Sequence, residues 1–100
     1  MAVSLKDKWV LITGASSGFG AAAARLFGAE SARLLLGARR VDRLERVAAE
    51  ARAAGAAEAH AHFLDVASTE SVEAFMAWAR QVMAPGEPQA ARLDVLVNNA

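Results

Sequence analysis

The sequence predicts an α/β fold, half of a doubly wound parallel sheet with strand order 3-2-1-4. Three observations point there. Short apolar runs alternate with longer stretches of helical period from one end of the chain to the other. Strands separated by helices run parallel, because each crossover returns the chain to its starting end. Three of the four apolar runs are unbroken, as strands covered on both faces require, whereas the third alternates, as suits an edge.

The elements follow in order. Val10-Leu11-Ile12 is the first apolar run and closes on Thr13-Gly14. Gly18 to Ala29 has helical period, with Ala22, Ala23, Leu26 and Phe27 on one apolar face. Leu34-Leu35-Leu36 is the second strand. From Val41 to Ala54, the positions Val41, Leu44, Val47, Ala48 and Ala51 recur at helical spacing, and Gly55 ends the helix where glycine is favoured. Ala59 to Leu64 alternates, placing Ala59, Ala61 and Phe63 on one side. Thr69 to Met83 carries a stripe of Val72, Phe75, Met76, Ala79, Val82 and Met83, with Ser68 as its N-cap. Ala84 to Arg92, which contains Pro85-Gly86 and Pro88, reads as a loop before the fourth strand, Val95-Leu96-Val97. The whole of 1–100 is expected to form one segment, without a repeat or a second domain.

Composition narrows the function classes. The chain has 100 residues, a formal net charge of zero and a pI of about 6.7, so it lacks the basic footprint of a nucleic-acid binder. It contains no cysteine, which excludes disulfides, thiolate metal sites and a cysteine nucleophile, and suits a reducing compartment. Neither a signal peptide's apolar run nor a span of about 18 apolar residues is present, so a cytoplasmic location without membrane contact is expected.

Strand order 3-2-1-4 has a functional consequence. The winding direction reverses between strands one and four, and a crevice opens beyond their carboxyl ends. Two unusual segments fall there: Thr13-Gly14-Ala15-Ser16-Ser17-Gly18-Phe19-Gly20 and Asn98-Asn99-Ala100. In the first, Gly14 permits a tight turn, Gly18 opens bare backbone to a pyrophosphate, and Gly20 lets helix and strand approach. The helix start offers free N–H groups and partial positive charge, and the Ser16 and Ser17 hydroxyls can add donors. A P-loop is excluded, because Phe19-Gly20 follows Gly18 where that motif needs Lys-Ser/Thr. The plainer alternative is a glycine turn that only connects strand to helix.

The spacing Gly-x-x-x-Gly-x-Gly, with Asp65-Val66 after strand three and Asn98-Asn99-Ala100 after strand four, resembles the short-chain dehydrogenase/reductase family. The resemblance covers the whole chain in order and register, and implies a Rossmann-type fold. Phe19 stands where that family more often has isoleucine, and Ser31 where glycine commonly precedes strand two.

Dinucleotide sites of this kind hold the adenosine ribose with a carboxylate about 20 residues beyond the glycines when the cofactor is NAD(H). Here that place is Ala38, followed by Arg39-Arg40. A small neutral residue with a guanidinium suits a 2′-phosphate, so the expected cofactor is NADP(H) rather than NAD(H). The resemblance gives Arg39 the reading of this phosphate and Arg40 an assisting or adenine-stacking role. The alternative is that both pair with Asp42 or Glu45 in solvent. The resemblance also implies that Asp65 and Val66 hold the adenine, that Asn99 and Ala100 lie beside the adenosine ribose, and that Asn98 ties strands together. Asp65 could instead only lead the following helix, and Asn98-Asn99 could be only a turn.

His60 and His62 share a face at a metal-like spacing, but without a third ligand they read as exposed or partly packed. Trp9 and Trp78 read as packing residues, and Phe75, Met76 and Met83 as core.

The resemblance implies hydride transfer between nicotinamide C4 and a carbonyl or alcohol carbon of a small substrate, in a homo-oligomeric parent enzyme. The family uses a tyrosine as acid/base, a lysine four residues later, a serine and an asparagine. The chain contains no tyrosine, and its only lysines are Lys6 and Lys8, so no catalytic residue is assigned. The expectation is an N-terminal fragment of such an enzyme, inactive alone and prone to aggregate along the edge of strand four. The competing readings are a non-catalytic, regulatory dinucleotide-binding module and an unrelated α/β domain with a coincidental glycine loop.

Overall fold

The computed structural model describes residues 4–99. Its elements are β1 (Trp9–Thr13), α1 (Gly18–Ala29), β2 (Arg33–Ala38), α2 (Val41–Ala54), β3 (Glu58–Phe63), α3 (Thr69–Met83), a 3₁₀ turn (Pro88–Ala90) and β4 (Val95–Val97). The four described strands form a parallel sheet in the order β3-β2-β1-β4, as the sequence predicts. Val10 of β1 sits opposite Leu34 of β2 on one side and Val95 of β4 on the other.

Alternation along β1 and β2 divides the core. Val10, Ile12, Leu34 and Leu36 pack on one face with Leu44, Val47, Ala48 and Ala51 of α2 and the small residues of α1. Trp9, Leu11 and Leu35 point to the other face, where Phe75 and Ala79 of α3 meet them with Leu64. Because the two faces alternate within β1 and β2, both strands need apolar residues throughout, and both are almost wholly buried. Burying a side chain such as Phe75 contributes about 1.5–3 kcal/mol. Gly37 makes that seat possible, since a Cβ there would lie 2.7 Å from Phe75 Cε2 and 2.8 Å from Leu64 Cδ2.

Several side chains depart from the sequence expectation. The buried face of α1 is Gly20, Ala21, Ala23, Ala24 and Gly28, whereas Leu26 is 70% exposed and Ala22 and Phe27 are half-buried. The reason is a close helix–helix approach: a Cβ on Gly28 would be 2.9 Å from the Ala51 carbonyl, so only small residues fit between α1 and α2. Val41 is exposed at the first turn of α2, which rises past the end of β2. Phe63 is exposed at the last residue of the edge strand β3. Of the α3 stripe only Phe75 and Ala79 are buried, with Met76, Val82 and Met83 half-buried at the margin of their cluster and Val72 exposed. Leu96 of β4 is exposed as well, although its run is as apolar as those of β1 and β2.

The helix ends behave as their sequences suggest at two points. Ser68 Oγ accepts the Ser71 N–H at 3.2 Å, and Gly55 closes α2 at φ 126° with its N–H on the Ala51 and Arg52 carbonyls. Among the described residues, no helix is long and apolar enough to cross a membrane.

Candidate functional site

The carboxyl ends of the strands open into a cleft of about 1000 Å³. Gly14, Ser16, Ser17, Gly18 and Phe19 form one wall, Ala38, Arg39, Arg40 and Arg43 a second, and Leu64 to Ala67 with Asn99 the rest. The glycine loop, the double arginine, Asp65-Val66 and Asn99, separated along the chain, therefore meet at one place. Gly20 is buried behind the loop, Asn98 follows β4 and accepts a hydrogen bond from Thr13 at the end of β1, and Ala100 lies outside the described residues.

The loop's shape follows from its glycines. Gly14 sits at φ 62°, and a Cβ on it would collide with the Asn99 carbonyl oxygen. Gly20 faces the Gly14 carbonyl, and a Cβ there would also come within 2.9 Å of Asn99 Nδ2. Gly18, at φ 59°, has open space where its Cβ would be, so its bare backbone faces the cleft. The start of α1 is unusually unguarded. Ser17 occupies the N-cap position in extended conformation, yet its side chain makes no capping bond and the first turn has no acidic residue. The first amides of α1 and the Ser17 hydroxyl are thus left for an anion.

Asn98 and Asn99 anchor this loop to β4. Thr13, the one buried polar side chain among the described residues, donates its Oγ1–H to Asn98 Oδ1 at 3.1 Å and accepts the Asn99 N–H at 2.9 Å. Asn99 Nδ2 then donates to the Gly14 carbonyl at 3.3 Å. Asn98 ties β1 to the segment after β4, and Asn99 holds the turn that shapes the glycine loop. In the sequence Thr13 marks only the close of a strand, since a lone threonine gives no sign of a partner so distant in the chain. Asp94 escapes sequence reasoning for the same reason: its Oδ2 accepts the Trp9 N–H at 2.9 Å and its own N–H reaches the Trp9 carbonyl, clamping β4 to the start of β1.

On the opposite wall, Asp65 Oδ1 accepts the Ala67 N–H at 3.0 Å, and the Asp65 N–H donates to Ser71 Oγ at 2.8 Å. The carboxylate therefore orders the turn into α3, and it also lines the cleft. Arg39 and Arg40 are exposed and, like Arg43, make no ion pair with Asp42, Glu45 or any other described carboxylate. Arg43 is an addition to the expected set, since the sequence shows it only as one charge on the Arg/Glu-rich solvent face of α2.

The histidines lie elsewhere, on the β3 edge. His60 Nε2 is 2.9 Å from Glu58 Oε1 and its ring stacks on Trp9 with centroids 6.3 Å apart. His62 packs between Phe75 and Trp78 at 5.9 and 4.8 Å. No group of three or more possible metal ligands occurs among the described residues.

Residues 8–100 match the family model for short chain dehydrogenases. The chain belongs to this family. An uncharacterized oxidoreductase of Staphylococcus saprophyticus is 38% identical over 97 residues, 97% of this chain and 35% of that protein. A metagenomic short-chain oxidoreductase solved with NADP superposes with a TM-score of 0.84 at 40% identity, over 98% of this chain and 41% of the other. L-Sorbose reductase from Gluconobacter frateurii, solved with NADPH and L-sorbose, gives 0.83 at 35% identity, over 100% and 35%. This short-chain dehydrogenase chain spans about a third of the length of the curated relatives it matches, 35%, 34% and 32% of three of them.

Proposed function

We propose that this chain is the NADP(H)-gripping part of an oxidoreductase that interconverts a small carbonyl compound and its alcohol. The observation that carries the reading is the cleft itself, where an uncapped helix start and a glycine-built loop face three arginines with no described ion pair. The solved relatives with NADP or NADPH bound support the same cofactor.

The residues fit that group. A pyrophosphate needs donors at close approach, and the Gly18 backbone, the first amides of α1 and the Ser16 and Ser17 hydroxyls supply them. Phe19, 70% exposed at the mouth of the loop, walls the same space. Ala38 leaves room beside the ribose and places no carboxylate there to repel a 2′-phosphate, and Arg39 and Arg40 bring planar donor forks to it. Asp65 and Val66 would flank the adenine, with the carboxylate available to accept from its amino group. Asn99 would stand by the adenosine ribose, with Asn98 bracing the turn. When bound, the nicotinamide supplies the hydride. The chain's own share is to hold and orient that ring, since without a tyrosine it has no family acid/base of its own.

The test is Arg39→Ala in the full-length protein, with NADPH and NADH dissociation constants measured by titration. A charge-assisted hydrogen bond is worth about 1.5–3 kcal/mol, so NADPH affinity should fall roughly 10- to 100-fold while NADH affinity stays put. An unchanged ratio of the two would remove the assignment.

A further inference from the structure

We infer that Arg43 is a third reader of the 2′-phosphate, and that the preference for a phosphorylated ribose rests on a cluster of three guanidiniums. This inference rests on the NADP(H) reading of the cleft. Arg43 lines the same cleft as Arg39 and Arg40, but it stands on α2 itself, one helical turn past them. Arg39 precedes the helix and Arg40 is its N-cap, so of the three only Arg43 is held by a full helical backbone.

The distribution of charge favours the same conclusion. Arg25 and Arg52, on the neighbouring stretches of α1 and α2, are committed elsewhere: Arg25 pairs with Glu50 at 3.2 Å, and Arg52 Nη1 donates to the Ala59 carbonyl at 2.6 Å. Arg43 has neither an ion pair nor a hydrogen-bond partner of that kind among the described residues, although Asp42 and Glu45 are close in sequence. A phosphate monoester dianion presents three terminal oxygens, more acceptor sites than a single two-pronged fork can fill. Three guanidiniums lining one cleft match that demand. They also concentrate positive charge on one wall of a chain whose formal net charge is zero.

The probes are 2′,5′-ADP and 5′-AMP, which differ by the 2′-phosphate alone, titrated into the full-length protein and its R43Q, R43K and R39Q variants. The expected result is a roughly 10-fold loss of 2′,5′-ADP affinity in R43Q with partial recovery in R43K, and 5′-AMP affinity unchanged. Arg43 is exposed, so the ligand-free melting temperature of R43Q should equal that of the parent. If R39Q weakens 2′,5′-ADP and R43Q does not, the inference fails while the NADP(H) reading stands. Equal loss of both probes in R43Q also overturns it, because Arg43 would then act on the adenine or ribose. Failure of the parent protein to prefer 2′,5′-ADP over 5′-AMP would sink the cofactor reading together with the inference.

Discussion

Ser31 shows what one backbone angle can decide. It sits at φ 63°, between α1 and β2, with its N–H on the Gly28 carbonyl and its own carbonyl accepting from Asp7. A side chain in this left-handed region costs about 1–2 kcal/mol, which glycine avoids at the expense of more freedom in the unfolded chain. Ser31→Gly should therefore raise stability by about 0.5–1 kcal/mol, read as a higher denaturant midpoint with an unchanged slope. The family's usual glycine at this position then has a physical cause that composition alone does not give. Arg39 and Arg43 belong to the same scale. The double arginine is legible because two adjacent charges follow a strand end, but the third becomes visible only when the helix is placed beside the cleft.

Among the elements, the turn from β1 into α1 holds two glycines with the same backbone sign and opposite surroundings. Gly14 and Gly18 both have positive φ, yet a Cβ at Gly14 strikes the Asn99 backbone while one at Gly18 meets nothing within 4 Å. Gly14→Ala should cost at least about 2 kcal/mol of stability, since strain and a backbone clash add. Gly18→Ala should cost only about 1 kcal/mol, but the new methyl projects where a pyrophosphate would come, so dinucleotide affinity should fall by roughly 10-fold or more. Chemical denaturation of the two variants, paired with NADPH titration, checks both halves. Loss of stability in Gly18→Ala equal to that in Gly14→Ala would show that the loop has no such division. Elements also show where periodicity misleads. The helical stripe of α1 runs through Leu26, but the space against α2 admits only alanine and glycine, and Leu26 turns outward.

For the whole molecule, the uneven covering of the sheet matters most. β1 and β2 are sandwiched between helices, whereas Leu96 of β4 is 59% exposed, with Leu93 and Val66 also exposed on that side. An apolar strand edge with open backbone groups invites pairing with another copy. The 100-residue chain expressed alone should self-associate, seen as high-mass species in light scattering, and should not oxidise NADPH with small carbonyl substrates. A monodisperse monomer with steady turnover would contradict both expectations.

The sequence by itself determined the element order, the parallel strand order and the position of the glycine loop, because each is written in local terms: period, apolar runs and residues with special backbone freedom. It also brought the glycine loop and the double arginine to the same end of the sheet, since strand order decides which loops are neighbours. Only the tertiary structure decided how they are held. Thr13 and Asn99 bond across 86 residues of sequence, the Asn99 amide holds Gly14, and Arg43 turns into the cleft. A pattern along the chain shows which face a residue presents. The group that meets that face comes from a distant segment, and the packing of helices on the sheet brings it there.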